Sequence, residues 1–579
     1  MAIDLALQRK KNKTVRLTEA AVGEIARTIL SGFNKHFKIF REVTQQGREH
    51  FRRGDWVASR QAACDRISLY DQRVQECITE LKQRFNPTEL DPVLWQDVKF
   101  HYLGLLYRHL QPELAESFYN SVFVGLFERH FYNNNNIFVR PSVSTERLDT
   151  DDPVFRSFYP TRDGWRKSVL RILEQADIGL PFENIRKDVR LILREIRRLT
   201  DARQNLTLAK HFQIQVLRPL FYRNKTAYIV GRAINGPDRF PLILILRRND
   251  AGKVYVKGLI SDRNPVANLF ASARAYFLVD TEVPSAMVRF LLSILPEKTA
   301  ADLYTQIGFH KQGKSEFYRD FLDHLQRSSD LLEIAPGSEG MVMLVFTLPS
   351  YPYVFKVIRD HFKPPKDTTR KTVIDKYHMI KQRDRVGRMS DAWEFSYTAF
   401  PIDRFTNELI EKLKSEVGEQ VIIEEDKLII KHLFIERRLE PLNLYLKHAD
   451  YSGVANAIRD YGNAISEIAA AGLFPGDLLI KNFGITRYGR VIFYDYDEVV
   501  PIGQCNFRHI PEPRFPEDEF AAEPWYSVGP DDVFPEEFPT FLFHDKDQRN
   551  LFSRIHASIL KAETWRMWQR SVAEGEFPD

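Results

Sequence analysis

At roughly 150 residues per domain, a chain of 579 residues has room for two to four domains and makes a single core implausible. Hydrophobic residues at 44% and charged residues at 28% exclude disordered, collagen-like and coiled-coil classes. The balance of 83 Lys+Arg against 78 Asp+Glu, a formal net charge of +5, is too small to mark a nucleic-acid footprint. Cys64, Cys77 and Cys505 form no CxxC pair, which fits a reducing compartment and predicts a cytoplasmic protein. The basic start MAIDLALQRKKNKTVRL is followed by no apolar stretch, and no run approaches about 18 apolar residues. Neither a signal peptide nor a membrane span is expected.

From Thr18 to Leu199 helical periodicity dominates; Ile25, Ile29, Phe33, Phe37 and Phe40, three or four residues apart, predict the buried face of one helix. Between Ala227 and Ser261 the apolar runs AYIVGRAI, FPLILILRR and KVYVKGLI, separated by NGPD and NDAG, predict a small antiparallel sheet inside this helical region. Gly308 to Ser315 satisfies GxxxxGK[ST], but the preceding TAADLYTQI reads as helix, whereas a phosphate-binding P-loop must follow a buried strand. A new character begins at Leu331, which divides the chain into domains of 1–330 and 331–579. The overall class is α+β.

The second domain opens with strands in EIAPGSEGMVMLVF and PYVFKVIRD, followed by a basic, helix-like stretch from Thr368 to Arg388. VIIEEDKLIIKHLFIE predicts a hairpin turning at Glu425 and Asp426. Val454, Ile458, Tyr461, Ile465 and Ile468 mark one face of a buried helix. Eight prolines from Pro501 to Pro539, with Trp525 and Tyr526 among them, predict either a protein-recognition surface with exposed aromatic anchors or a loop packed on the domain.

Three features in this half carry chemistry. The glycine turn around Gly337 and Gly340, followed by Lys356 on the next strand, suits backbone and ammonium contacts to phosphate oxygens. In FPGDLLIKN, Asp477 and Asn482 have the D-x-x-x-x-N spacing with which protein kinases supply a carboxylate for the substrate hydroxyl proton and an amide oxygen for a metal ion. Each also suits turn capping. VIFYDYDE places Asp495 and Asp497 at the end of an apolar strand, where Mg²⁺ or a basic partner must balance them.

The segments APGSEGMVMLVFTLP, VFKVIRD, DRVGRMSD, FPGDLLIKNFG, VIFYDYDEV and EPWYSVGPDDVFPEEF together resemble the isocitrate dehydrogenase kinase/phosphatase family, as do AESFYNSVF and LFYRNK nearer the N-terminus. The resemblance implies a protein kinase-like bilobal C-terminal domain and a mostly helical N-terminal regulatory domain. It implies ATP, Mg²⁺ and AMP as ligands, AMP being an allosteric effector, and opposing reactions on one serine of isocitrate dehydrogenase. It assigns Ala335, Pro336, Gly337, Ser338, Glu339, Gly340, Met341 and Lys356 to ATP, Asp477 to the catalytic loop, Asn482 and Asp495 to the metal, and Asp391 to the active site.

Against ordinary protein kinases, HRD becomes PGD and DFG becomes DYD. The helix that should supply the lysine's partner contains no Glu, leaving Asp375, Asp384, Asp391 or Glu394 as candidates. No CxxxxxR motif or dense His/Asp cluster signals a separate phosphatase site. Dephosphorylation is therefore expected in the same pocket, with Asp497 orienting a water. The competing class is a pseudokinase-like interaction protein that binds nucleotide without catalysis.

Overall fold

The structure is a computed structural model that describes every residue except 1, 86–91, 128–135, 147, 149–152, 203–206, 272–275, 338, 363, 365, 367, 385, 514–524 and 576–579. Ser338, Pro516 and Pro524 therefore lie outside the described residues. The chain separates into two compact units, Met1–Ala271 with Tyr276–Ser329 and 397–399, and Asp330–Ser396 with Phe400–Asp579.

The first unit begins with the helices α1 (Ala2–Arg53), α2 (Trp56–Phe85), α3 (Pro92–Leu106) and α4 (Pro112–Phe127). The expected α1 face is buried: Ile25, Ile29, Phe33, Phe37 and Phe40 are each at most 8% exposed. A six-stranded antiparallel sheet follows, β1 (Phe155–Phe158), β2 (Gln213–Leu217), β3 (Phe221–Arg223), β4 (Thr226–Asn235), β5 (Asp238–Arg248) and β6 (Val254–Ile260). Periodicity revealed only the last three strands; the others are three to five residues long, too short to show a period. Helices α5 (Pro160–Asp163), α6 (Trp165–Glu174) and α7 (Ile185–Ala202) lie between β1 and β2, and α8 (Arg263–Leu269), α9 (Pro284–Leu292), α10 (Ala300–Gln306) and α11 (His310–Arg327) complete the unit.

The P-loop-like octapeptide joins α10 to α11, so a helix precedes it. A Cβ on Gly313 would lie 2.1 Å from Thr305 Oγ1 and 2.7 Å from the Ala301 carbonyl oxygen. That glycine permits close helix packing; it does not cradle a phosphate. No helix among the described residues is long and apolar enough to cross a membrane.

The second unit begins with β7 (Glu333–Ile334), β8 (Met343–Thr347), β9 (Tyr353–Ile358), α12 (Arg370–Arg383), β10 (Ala392–Pro401), α13 (Asn407–Glu416), β11 (Val421–Glu424) and β12 (Lys427–Arg437). Its six-stranded sheet has the order β10-β12-β9-β8-β7, with β11 paired to β12. The hairpin turns at Glu425 and Asp426 as expected, with Glu424 opposite Lys427 and Glu425 at φ 47°.

Next come β13 (Glu440–Pro441), α14 (Leu442–His448), α15 (Tyr451–Ala470), β14 (Leu473–Phe474), β15 (Phe483–Ile485), β16 (Val491–Phe493), β17 (Val500–Pro501), β18 (Asn506–Phe507), β19 (Asp532–Val533), α16 (Phe538–Leu542), α17 (Lys546–Ile555) and α18 (Ala562–Ala573). Ile458, Tyr461, Ile465 and Ile468 on α15 are at most 1% exposed and centre the core, with Val454 packed at its edge. Trp525 and Tyr526 are half-buried. Their rings meet edge to face at 5.3 Å, and Tyr526 packs on Phe534 at 5.0 Å, so neither is the exposed anchor the composition suggested.

Helix α12 stops at Arg383, short of the expected Arg388, because Asp384 caps the next turn by accepting from the N–H groups of Val386, Gly387 and Met389. Arg388 then ties this turn to the core. Its guanidinium donates to Asp460 at 2.7 and 2.9 Å, to Glu467 at 2.8 and 3.0 Å, and to the Val491 carbonyl at 2.9 Å. Burial disfavours the charge on Arg388, but the bonds to Asp460 and Glu467 outweigh it and raise its pKa. Arg388→Ala removes one side of a desolvated network, and a loss of about 3 kcal/mol is expected in denaturant unfolding. Arg388→Lys should recover only part of it, because an ammonium cannot form the paired fork.

Candidate functional site

The sheet of the second unit and the loops after α15 enclose a cavity of about 530 Å³. Lys356 projects into it from β9. Val345 and Phe434 stand opposite Lys356 on the neighbouring strands, and the two-residue pleat brings Glu436, two positions beyond Phe434, to the same face. Lys356 Nζ donates to Glu436 Oε1 at 3.0 Å and to the Tyr494 carbonyl at 3.0 Å; Glu436 is 1% exposed.

None of the four acids proposed from the sequence is that partner. Asp375 is exposed on α12, Asp384 caps the turn after it, and Glu394 binds His378 and His432 at 3.0 and 2.9 Å. Helix α12 reaches the ion pair instead through the Tyr377 hydroxyl, 3.3 Å from Glu436 Oε1. Glu436 ends the apolar run LFIE. A lone acid closing a buried apolar strand was its signal in the sequence.

The pair also changes what Lys356→Met tests. Lys356 is 8% exposed, so the single substitution strands a buried carboxylate and loses stability as well as nucleotide binding. In Lys356→Met/Glu436→Gln the melting temperature should recover while nucleotide affinity stays low, as read by thermal melts and nucleotide titration.

Above Lys356, Ala335, Pro336, Gly337, Glu339, Gly340 and Met341 line the cavity. The Ala335 N–H donates to Val345 O at 3.0 Å, anchoring the turn to β8, and Gly337 takes φ 124°, a conformation glycine tolerates without strain. The Glu339 carboxylate is held by Arg359 at 2.8 Å and Lys412 at 3.2 Å; Arg359 and then Lys412 lower its pKa.

Below, the FPGDLLIKN loop follows β14. Gly476 has φ 77°, and a Cβ there would sit 2.3 Å from the Glu498 carbonyl oxygen, which is why glycine stands where ordinary kinases carry arginine. Asp477 Oδ1 accepts from the Leu479 N–H at 2.9 Å, so it caps a turn and also lines the cavity. Asn482 Nδ2 donates to the Asp477 carbonyl at 3.4 Å, leaving Oδ1 as the oxygen available to a cation.

Asp495 and Asp497 line the cavity just beyond β16. Burial, then the hydrogen bond shared with Asp497, pushes the Asp495 carboxyl well above the usual range. Burial also opposes ionisation of Asp497, but its bonds with Asp495 and Lys366 prevail and hold it below that range. Lys366 Nζ lies 2.8 Å from Asp497 Oδ2 and also contacts Glu498. Burial disfavours its charge, yet these bonds keep its pKa above the ordinary lysine value. Asp497 thus has its basic partner, while Asp495 and Asn482, lining the same cavity, offer the carboxyl and amide oxygens that suit a hard divalent cation.

Asp391 is not among the lining residues. It stands immediately before β10, beside Ser390, whose N–H bonds the Phe493 carbonyl at 2.9 Å and whose own carbonyl accepts from the Tyr496 hydroxyl.

A strand lysine with a buried acid partner, a carboxylate loop with an amide five residues on, and a strand-end acid pair about one cavity are the kinds of group that phosphoryl transfer requires. Comparison with known proteins agrees. Residues 330–579 match the family described as the isocitrate dehydrogenase kinase/phosphatase (AceK) kinase domain, and residues 26–329 match the regulatory domain of the same name. Proteins named isocitrate dehydrogenase kinase/phosphatase include one from Aromatoleum aromaticum, 49% identical over 97% of this chain and 96% of its own length. Those from Paraburkholderia phymatum and Burkholderia thailandensis are both 45% identical over 98% of this chain, and over 95% and 94% of their own lengths. The chain belongs to the isocitrate dehydrogenase kinase/phosphatase family, and it is an enzyme with kinase and phosphatase activities.

Proposed function

We propose that this enzyme adds phosphate from ATP to one serine of isocitrate dehydrogenase and removes it again, in the cytoplasm, and so sets the division of flux between the tricarboxylic acid cycle and the glyoxylate bypass. Residues 331–579 form the protein kinase-like catalytic domain of two lobes, and residues 1–330 the regulatory domain, with AMP as effector. The observation that carries the reading is the convergence of Lys356, Asp477, Asn482 and Asp495 on one cavity in a member of this family. A non-catalytic nucleotide binder has no need of all four.

The turn from Ala335 to Met341 and Lys356 hold the nucleotide phosphates, and the apolar side chains of Val345, Val354 and Leu439 suit the base. Asn482 and Asp495 hold Mg²⁺, which neutralises charge on the transferring phosphoryl group when bound. Asp477 accepts the serine hydroxyl proton. Asp497 orients a water for dephosphorylation. Asp391 acts at one remove, through the backbone beside β16.

Incubation of the full chain with isocitrate dehydrogenase, Mg²⁺ and γ-labelled ATP tests this. Label should appear on a single serine and leave it when ATP is withdrawn. A protein that binds ATP and transfers no label would be the non-catalytic alternative.

A further inference from the structure

We propose that Lys366 is a positioning residue for dephosphorylation, fixing the Asp497 carboxylate so that it can orient the attacking water. The inference rests on Asp497 being the water-orienting acid. Lys366 comes from the loop between β9 and α12, lines the same cavity, and is 16% exposed; the Asp497 side chain 2.8 Å away is 13% exposed. A second lysine, Lys376 on α12, donates to the Asp497 backbone carbonyl. Both the side chain and the main chain of one residue are thus held by ammonium groups from different elements.

A buried ion pair contributes little net stability because both partners are desolvated, so placement is the better account of this one. Ordinary kinases carry glycine at the third position of DFG, which has no carboxylate to hold. Phosphate addition here needs only Asp477 as proton acceptor. A second acid held by a lysine, which Glu498 shares, suits the reaction in which water attacks.

In that reaction the water oxygen, aimed by its hydrogen bond to Asp497, bonds to the phosphoserine phosphorus. The bond from phosphorus to serine Oγ breaks and its electron pair stays on Oγ. Oγ takes one proton from solvent and the attacking water gives one up to solvent. The net change is water plus phosphoserine giving serine plus inorganic phosphate. Lys366, bonded to Oδ2, fixes the rotation of the carboxylate throughout.

Single-turnover rates in both directions, with isocitrate dehydrogenase and its phosphorylated form, should be compared for Lys366→Met, Lys366→Arg, Asp497→Asn and Lys366→Met/Asp497→Asn. The phosphatase-to-kinase rate ratio should fall about 10- to 100-fold in Lys366→Met, as expected of a misplaced catalytic group. Lys366→Arg should restore most of the ratio, and the double variant should be no worse than Asp497→Asn alone. An unchanged ratio in Lys366→Met beside an impaired Asp497→Asn overturns the role of Lys366 and leaves that of Asp497 standing. Equal losses in both directions with weakened nucleotide binding make Lys366 a phosphate ligand and also overturn the proposal. Full phosphatase activity in Asp497→Asn removes the reading of Asp497 itself. Circular dichroism of each variant separates a lost fold from a lost role, and Lys366→Arg preserves the ion pair should Lys366→Met fail to fold.

Discussion

Asp477→Asn is expected to lower the rate of phosphate transfer to isocitrate dehydrogenase by about 10² to 10⁴, the range of a general-base contribution, with nucleotide affinity within about twofold of the parent. The structure favours this variant over Asp477→Ala. Asp477 Oδ1 accepts from the Leu479 N–H, so alanine would remove a side-chain bond from the turn whose Asp477 carbonyl holds Asn482. Asparagine keeps an acceptor oxygen for Leu479 and loses only the capacity to take a proton. Rapid-quench measurement with saturating substrate isolates the chemical step. A kinase rate near that of the parent would remove Asp477 as the base and leave it a turn cap.

How far the site could be read from the sequence depended on whether its groups were close along the chain. Asp477 and Asn482 share one loop, and Asp495 and Asp497 one strand end, so spacing alone exposed them. The turn around Gly337 was visible through its glycines. Glu436 was not, because its partnership with Lys356 depends on β12 lying beside β9, a pairing between strands about 80 residues apart that no local pattern encodes. Ordinary kinases take this acid from the helix that follows the lysine strand, whereas here α12 contributes Tyr377 to the pair. Lys366 was hidden for the same reason: its partner lies 131 residues on. In the first unit, the amphipathic face of α1 and the long strands β4 and β5 were legible, while β1 and β3 are too short to show a period.

Asp495→Ala is expected to abolish both phosphorylation and dephosphorylation, and no Mg²⁺ concentration should rescue either. The reasoning turns on how little else is available to hold the ion. Asn482 offers one neutral oxygen, and the Asp497 carboxylate is already engaged by Lys366, so Asp495 is the anionic ligand left for the cation. Burial, and then the hydrogen bond with the neighbouring Asp497, disfavours its charge and raises its pKa, the behaviour of two carboxyl groups placed side by side. Such a group works against stability and for function. The melting temperature of Asp495→Ala should therefore equal or exceed that of the parent, which separates lost chemistry from lost fold. Both rates should be followed over a Mg²⁺ series alongside thermal melts. Recovery of either activity at high Mg²⁺ would show that the remaining oxygens suffice to hold the ion; recovery of one alone would show that the two reactions do not share it.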